Sequence, residues 1–213
     1  MGTINYIYLI ILSVCFLTGL YFFNFFNKPL KIIMIYIIIT IIIEIIGYYS
    51  LYFSADKKIN ALLYNLGLPL GYSLLSIFLS LIINDKRISR LILILIPIIL
   101  MIIIFNSSSI MKMNFQLFLI FKAFLIIYSI IYLKETLNYE ISIYTNPYFW
   151  CVTGILFFYT CSFFLSGLIN FISSKNLDLA KKLYTITPLL GIIYYSLVTY
   201  GFICQRRLAR SSS

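Results

Sequence analysis

There is no histidine anywhere in this chain of 213 residues. The commonest metal ligand and the commonest general base are therefore missing together. Acids are nearly as scarce, six against sixteen Lys and Arg. Charged residues of either sign make up 10% of the chain, where a soluble domain carries about 25%. The four cysteines, Cys15, Cys151, Cys161 and Cys204, sit inside apolar runs and form no CxxC pair. They read as small packed hydrophobes, not as a disulfide frame or a zinc site. HExxH, GxSxG, a Gly-rich phosphate loop and paired acids within one apolar run are also absent. One embedded carboxylate and one embedded amine do not make a metal site. The last apolar run has no lysine to carry a retinal-type Schiff base. The sequence reads as a non-enzyme with no cofactor.

What the chain has in abundance is apolar length, with 62% hydrophobic residues. Seven runs stand out, at 6–26, 30–53, 60–83, 91–105, 114–133, 147–172 and 184–204. Each approaches the ~20 residues that a hydrocarbon core requires. They are continuous and do not alternate, which excludes a closed β-barrel. The fold expected is all-α: a polytopic membrane protein with seven transmembrane helices in one bundle over 1–205. Residues 206–213 form a short basic cytoplasmic tail, whose closing ARSSS resembles an appended sequence. The first run lacks a basic leader and a small-residue cleavage site, so it reads as a retained span. The fourth is the shortest and carries Pro97. The stretches 84–90, 134–146 and 173–182 read as polar connections.

A net charge of +10 invites a nucleic-acid reading, but the bases lie in short connections and the tail. No basic face outside the membrane can be built from them, so nucleic acid is excluded as a partner. There they meet lipid headgroups and set topology. With the N-terminus outside, nine Lys and Arg fall on the cytoplasmic side against six outside, and six against six without the tail. The bias points to a multi-pass protein with its N-terminus outside and its C-terminus in the cytoplasm. The excess of Ile, Phe, Tyr, Asn and Lys fits an AT-rich bacterial genome, hence the bacterial inner membrane.

Two ionisable groups lie deep in the runs. Glu44 is the one carboxylate embedded in such a run, and Lys122 the one base. An acid or base at that depth costs several kcal/mol, about 2.5–3.5 on insertion scales, and marks a functional hypothesis. The second and fifth spans run in opposite directions, which places both groups on the same side of the midplane within about 5 Å of depth. Thr40, Glu44, Gly47 and Tyr48 share one face of the second span. Asn65, Asn170 and Thr187 fall in the same outer half. Together Glu44, Lys122, Tyr48, Asn65, Thr40, Asn170 and Thr187 outline an outward-facing polar pocket. The alternatives are a structural ion pair, a lysine that snorkels, and hydroxyls that merely line helix contacts. Tyr144, Tyr148, Phe149 and Trp150 read as an interfacial anchor. A faint Pro-Gly-Tyr-Ser echo between 69–73 and 188–196 suggests two helix triplets about a central fourth span.

Glu44-Ile-Ile-Gly-Tyr-Tyr, Tyr64-Asn65 with Pro69, Phe149-Trp150 with Gly154, and Tyr194-Tyr195-Ser196-Leu197 occur in order and in register. In these the chain resembles short seven-helix membrane proteins of Bacteroidota, a largely uncharacterised family often encoded beside sensor histidine kinases. Many members carry an acid shortly after the third-span proline; Gly71 and Tyr72 stand there here, so that acid's role does not transfer. The resemblance implies a signalling association, with a membrane partner such as a sensor kinase.

The expected function is a membrane sensor or receptor-like module without its own output domain. It would bind a small ligand or lipid in the polar pocket and signal through a partner, alone or as a homo-oligomer. Two alternatives stand beside it. One is a small 3+1+3 transporter with a proton-linked Glu44–Lys122 pair, the other a non-catalytic membrane scaffold.

Overall fold

The computed structural model describes residues 3–53, 57–106, 115–137, 143–173 and 175–211, with the side chains of 51–53, 57–66, 102–106, 115–118 and 211 outside that description. Among the described residues the chain is all-helical. Its helices are α1 (Thr3–Tyr21), α2 (Lys28–Phe53), α3 (Lys57–Ile82), α4 (Lys86–Asn106), α5 (Phe115–Leu137), α6 (Pro147–Ser173), α7 (Leu177–Tyr184) and α8 (Ile186–Ser211). Short 3-10 turns occupy Phe23–Phe25 and Ile143–Thr145. Among the described residues four segments are long and apolar enough to cross a membrane: Thr3–Tyr21, Lys28–Ser50, Pro147–Ser173 and Leu177–Arg210. Gly67–Ile82 is a shorter apolar helix.

Two of the expected connections are helical. Of the stretch 84–90, residues 86–90 are the start of α4, where the Asp85 carboxylate accepts the Arg87 N–H at 2.8 Å and its carbonyl accepts the Ser89 N–H at 2.9 Å. An aspartate in that position satisfies donors that a helix start leaves open. The stretch 173–182 is largely α7, opened by Asn176, whose side chain accepts the Leu179 N–H at 3.0 Å. Eight α-helices result among the described residues, one more than the seven apolar runs.

The chain divides into two compact units, Lys28–Phe121 and a second made from Met1–Asn27 with Lys122–Ser213. In the first, α2 runs antiparallel along α3, and α3 packs on α4. Leu75, Phe78 and Leu79 of α3 and Ile92, Ile96 and Ile99 of α4 are buried, and Tyr72 stacks on Phe121 with ring centroids 4.8 Å apart.

In the second unit, α8 lies against both α6 and α1. Leu12, Cys15, Cys151, Val152, Ile155, Val198 and Phe202 form its core. A Cβ on Gly201 would come within 2.8 Å of the Pro147 carbonyl oxygen and the Cys151 sulfur, and one on Gly154 within 3.1 Å of the Tyr194 ring. These close approaches fix an antiparallel α6–α8 pair. At its Trp150 end, Phe26 packs on Phe202 at 4.6 Å between ring centroids, Asn27 donates to the Tyr148 hydroxyl, and the Trp150 indole donates to the Tyr144 carbonyl at 2.9 Å.

The helices leave long apolar stripes uncovered, including Ile10, Val14, Leu17 and Tyr21 on α1 and Ile38, Ile42, Ile45 and Tyr49 on α2. In water such stripes would drive aggregation; in a bilayer they are the surface that lipid covers.

Candidate ligand-binding site

Thr40, Glu44 and Tyr48 follow one another at four-residue steps on α2, in line with buried Ile33 and Ile37. They are half-buried, while Ile42, Ile45 and Tyr49 on the opposite side are exposed. Glu44 thus sits on the helix face that packs, not on the face that would meet lipid tails. Thr40 donates its hydroxyl proton to the Tyr36 carbonyl at 2.9 Å. It is available to a ligand as an acceptor.

The α2–α3 register brings a second feature to the level of Glu44. A Cβ on Gly67 would lie 2.5 Å from the Ile43 Cδ1, and one on Gly71 3.3 Å from the Tyr36 ring. Antiparallel helices matched at those two points carry the backbone of Asn65 to the height of Glu44. The Asn65 side chain lies outside the described residues. Its carbonyl is set by chain chemistry: Pro69, inside α3, has no N–H to give to the residue four before it. Beyond Pro69, the Ser73 hydroxyl donates to the Pro69 carbonyl at 2.8 Å. The α2–α3 pair therefore offers, at one depth, a carboxylate and a backbone carbonyl that lacks its usual N–H donor from four residues on, with a phenol one turn along. Such an acceptor-rich set suits a cation, an ammonium group or a proton.

Lys122 belongs to the other unit. It is buried, and its ammonium donates to the Ser162 carbonyl at 2.9 Å and to the Ser166 hydroxyl at 2.7 Å. Ser166 in turn donates to the Ser162 carbonyl at 2.6 Å. Lys122 thus ties α5 to α6 through two hydrogen bonds. The α6–α8 register carries Thr187 to the level of Ser162. Asn170 lies two turns beyond Ser162, exposed, and its carbonyl accepts the Ser173 hydroxyl at 2.9 Å. Thr40, Glu44, Tyr48 and the Asn65 backbone thus fall in one unit. Lys122 and Thr187 share a level in the other, with Asn170 farther along.

The hydroxyls along these helices have a local explanation. Ser73, Ser129, Ser166, Ser196 and Thr199 each donate to the carbonyl four residues before, and Ser80 and Ser162 to the one three before. A membrane helix satisfies its hydroxyls this way without any ligand. Ser162 and Ser166, through a carbonyl and a hydroxyl, accept from Lys122 and join the residues named from the sequence. Four-residue spacing on α6 was the signal; the partner helix was not legible.

Among the described residues no three His, Cys, Asp or Glu side chains gather to hold a metal. Comparison with protein-family models, with curated proteins and with solved structures finds no match to this chain.

Proposed function

We propose that this chain is a receptor-like membrane module that binds a small cationic or ammonium-bearing ligand between α2 and α3, at Glu44. The observation that carries the reading is the coincidence of Glu44, on the packing face of its helix, with the proline-released carbonyl of Asn65. Tyr48 and Thr40 extend that acceptor set along α2. Ligand binding there would move α2 against α3 and pass the shift to a membrane partner. A sensor kinase is the partner that the resemblance to the Bacteroidota family suggests. We place the protein in the bacterial inner membrane with seven spans, the N-terminus outside and the C-terminus inside.

The 3+1+3 transporter is the less favoured reading. Such a fold pairs the first three helices with each other, whereas α1 here packs on α8, in a unit that does not include α2 and α3. The scaffold reading draws on the Lys122 clasp, which holds α5 to α6 with groups of the chain itself.

Thermal unfolding of the purified protein against a series of monovalent cations, divalent cations and small amines tests the proposal. At least one should raise the Tm of the wild type and leave that of Glu44→Gln unmoved. A folded Glu44→Gln protein that keeps the full ligand shift would remove Glu44 from the site. A wild type that no probe stabilises, with a variant that fails to fold, would move the assignment to the scaffold.

A further inference from the structure

After α6 the chain turns through Lys175 and Asn176 into α7, an amphipathic helix. Ala180 and Leu183 face inward, while Leu177, Leu179 and Tyr184 flank them and are exposed. Asp178, Lys181 and Lys182 fill the opposite arc, also exposed. Lys181 approaches Asp178 to 3.7 Å, and the Lys175 ammonium lies 4.5 Å from the centroid of the Phe171 ring. Three amines thus share one short segment with a single carboxylate.

Depth follows from length. The segment Leu177–Arg210 has 34 residues, ~51 Å of helix against a hydrocarbon core of ~30 Å. Its uncharged part, 183–205, rises ~35 Å and covers that core by itself. Lys181 and Lys182 therefore stand where hydrocarbon gives way to headgroups, with Arg206 and Arg207 at the other boundary. The α6–α8 register puts α7 beside the last two turns of α6, so Lys175 and Phe171 lie at the same height.

The apolar surroundings decide what the amines meet. Phe157, Phe164, Leu168 and Phe171 make one exposed stripe up α6, and it leads to the exposed Leu177, Leu179 and Tyr184 around the lysines. An occupant that matches both parts has an anionic head and long apolar chains. We propose that Lys175, Lys181 and Lys182 form a docking site for anionic phospholipid, its phosphate on the amines and its acyl chains along the α6 stripe. The proposal is independent of Glu44 and its ligand.

Hydrogen exchange of the full-length protein in nanodiscs tests it. In a phosphatidylcholine–phosphatidylglycerol bilayer, the α7 amides of 177–184 should exchange about fivefold more slowly than in phosphatidylcholine alone. The combined Lys175→Gln, Lys181→Gln and Lys182→Gln variant should exchange alike in both bilayers, with the α8 amides unchanged as a folding control. Should that variant lose α8 protection, the single variants Lys175→Gln and Lys182→Gln are each expected to lose part of the slowing. Equal exchange of the wild type in the two bilayers overturns the site. So does full slowing by soluble glycerol phosphate in phosphatidylcholine, which would assign the amines to free phosphate.

Discussion

The amine of Lys122, buried in its helix, donates to a backbone carbonyl and to a serine hydroxyl. Changes at Lys122 and at Ser166 should therefore differ in cost. Lys122→Met removes the donor but does not strand the Ser162 carbonyl, since Ser166 still donates to it. Its cost should stay within about 1 kcal/mol. Ser166→Val instead leaves the ammonium buried with one of these acceptors lost, and should cost about 1–3 kcal/mol. Unfolding of both variants in detergent checks the order. A Lys122→Met protein less stable than Ser166→Val would mean that the ammonium holds something more than α6.

At the scale of helices, several glycines stand where neighbouring helices come close, and they are not equivalent. Gly201 lets the backbone of α8 reach the Pro147 carbonyl, which cannot swing aside as a side chain can. Gly201→Ala should cost about 1–3 kcal/mol through a forced shift of α6 against α8. At Gly167, also on α6, an added methyl group would meet nothing within 4 Å, and Gly167→Ala should be neutral or gain up to about 1 kcal/mol. Thermal melts of the two variants compare them directly. The helices themselves were legible as apolar runs, because continuous hydrophobicity needs no partner to be recognised. The α2 face was legible too, since Thr40, Glu44 and Tyr48 keep a four-residue step. What escaped was α7, whose eight residues LDLAKKLY are too polar to register as a run. The spacing of Leu179 and Leu183 after Asn176 was its trace. Asn65 is legible as lying in the same half as Glu44, but its exact level is not, because register between helices depends on where glycines allow approach.

For the whole molecule, the number of crossings is the testable quantity. Four segments among the described residues satisfy length and apolarity outright, and seven are proposed. Parity separates the two counts: an odd number puts the chain ends on opposite faces and an even number puts them on one. Reporter fusions to each end in a bacterial host should find the N-terminus outside and the C-terminus inside; both ends on one side would end the seven-span reading. The assembly of the discontinuous unit also bears on biogenesis. The ribosome makes α1 well before the helix it lies against, α8, with all of Lys28–Phe121 in between. At about 5–20 residues per second the delay between them is on the order of ten to thirty seconds. Throughout that interval the newborn α1 sits in lipid without its neighbour, so an insertase that shelters single helices should matter more to this chain than to one built from consecutive hairpins.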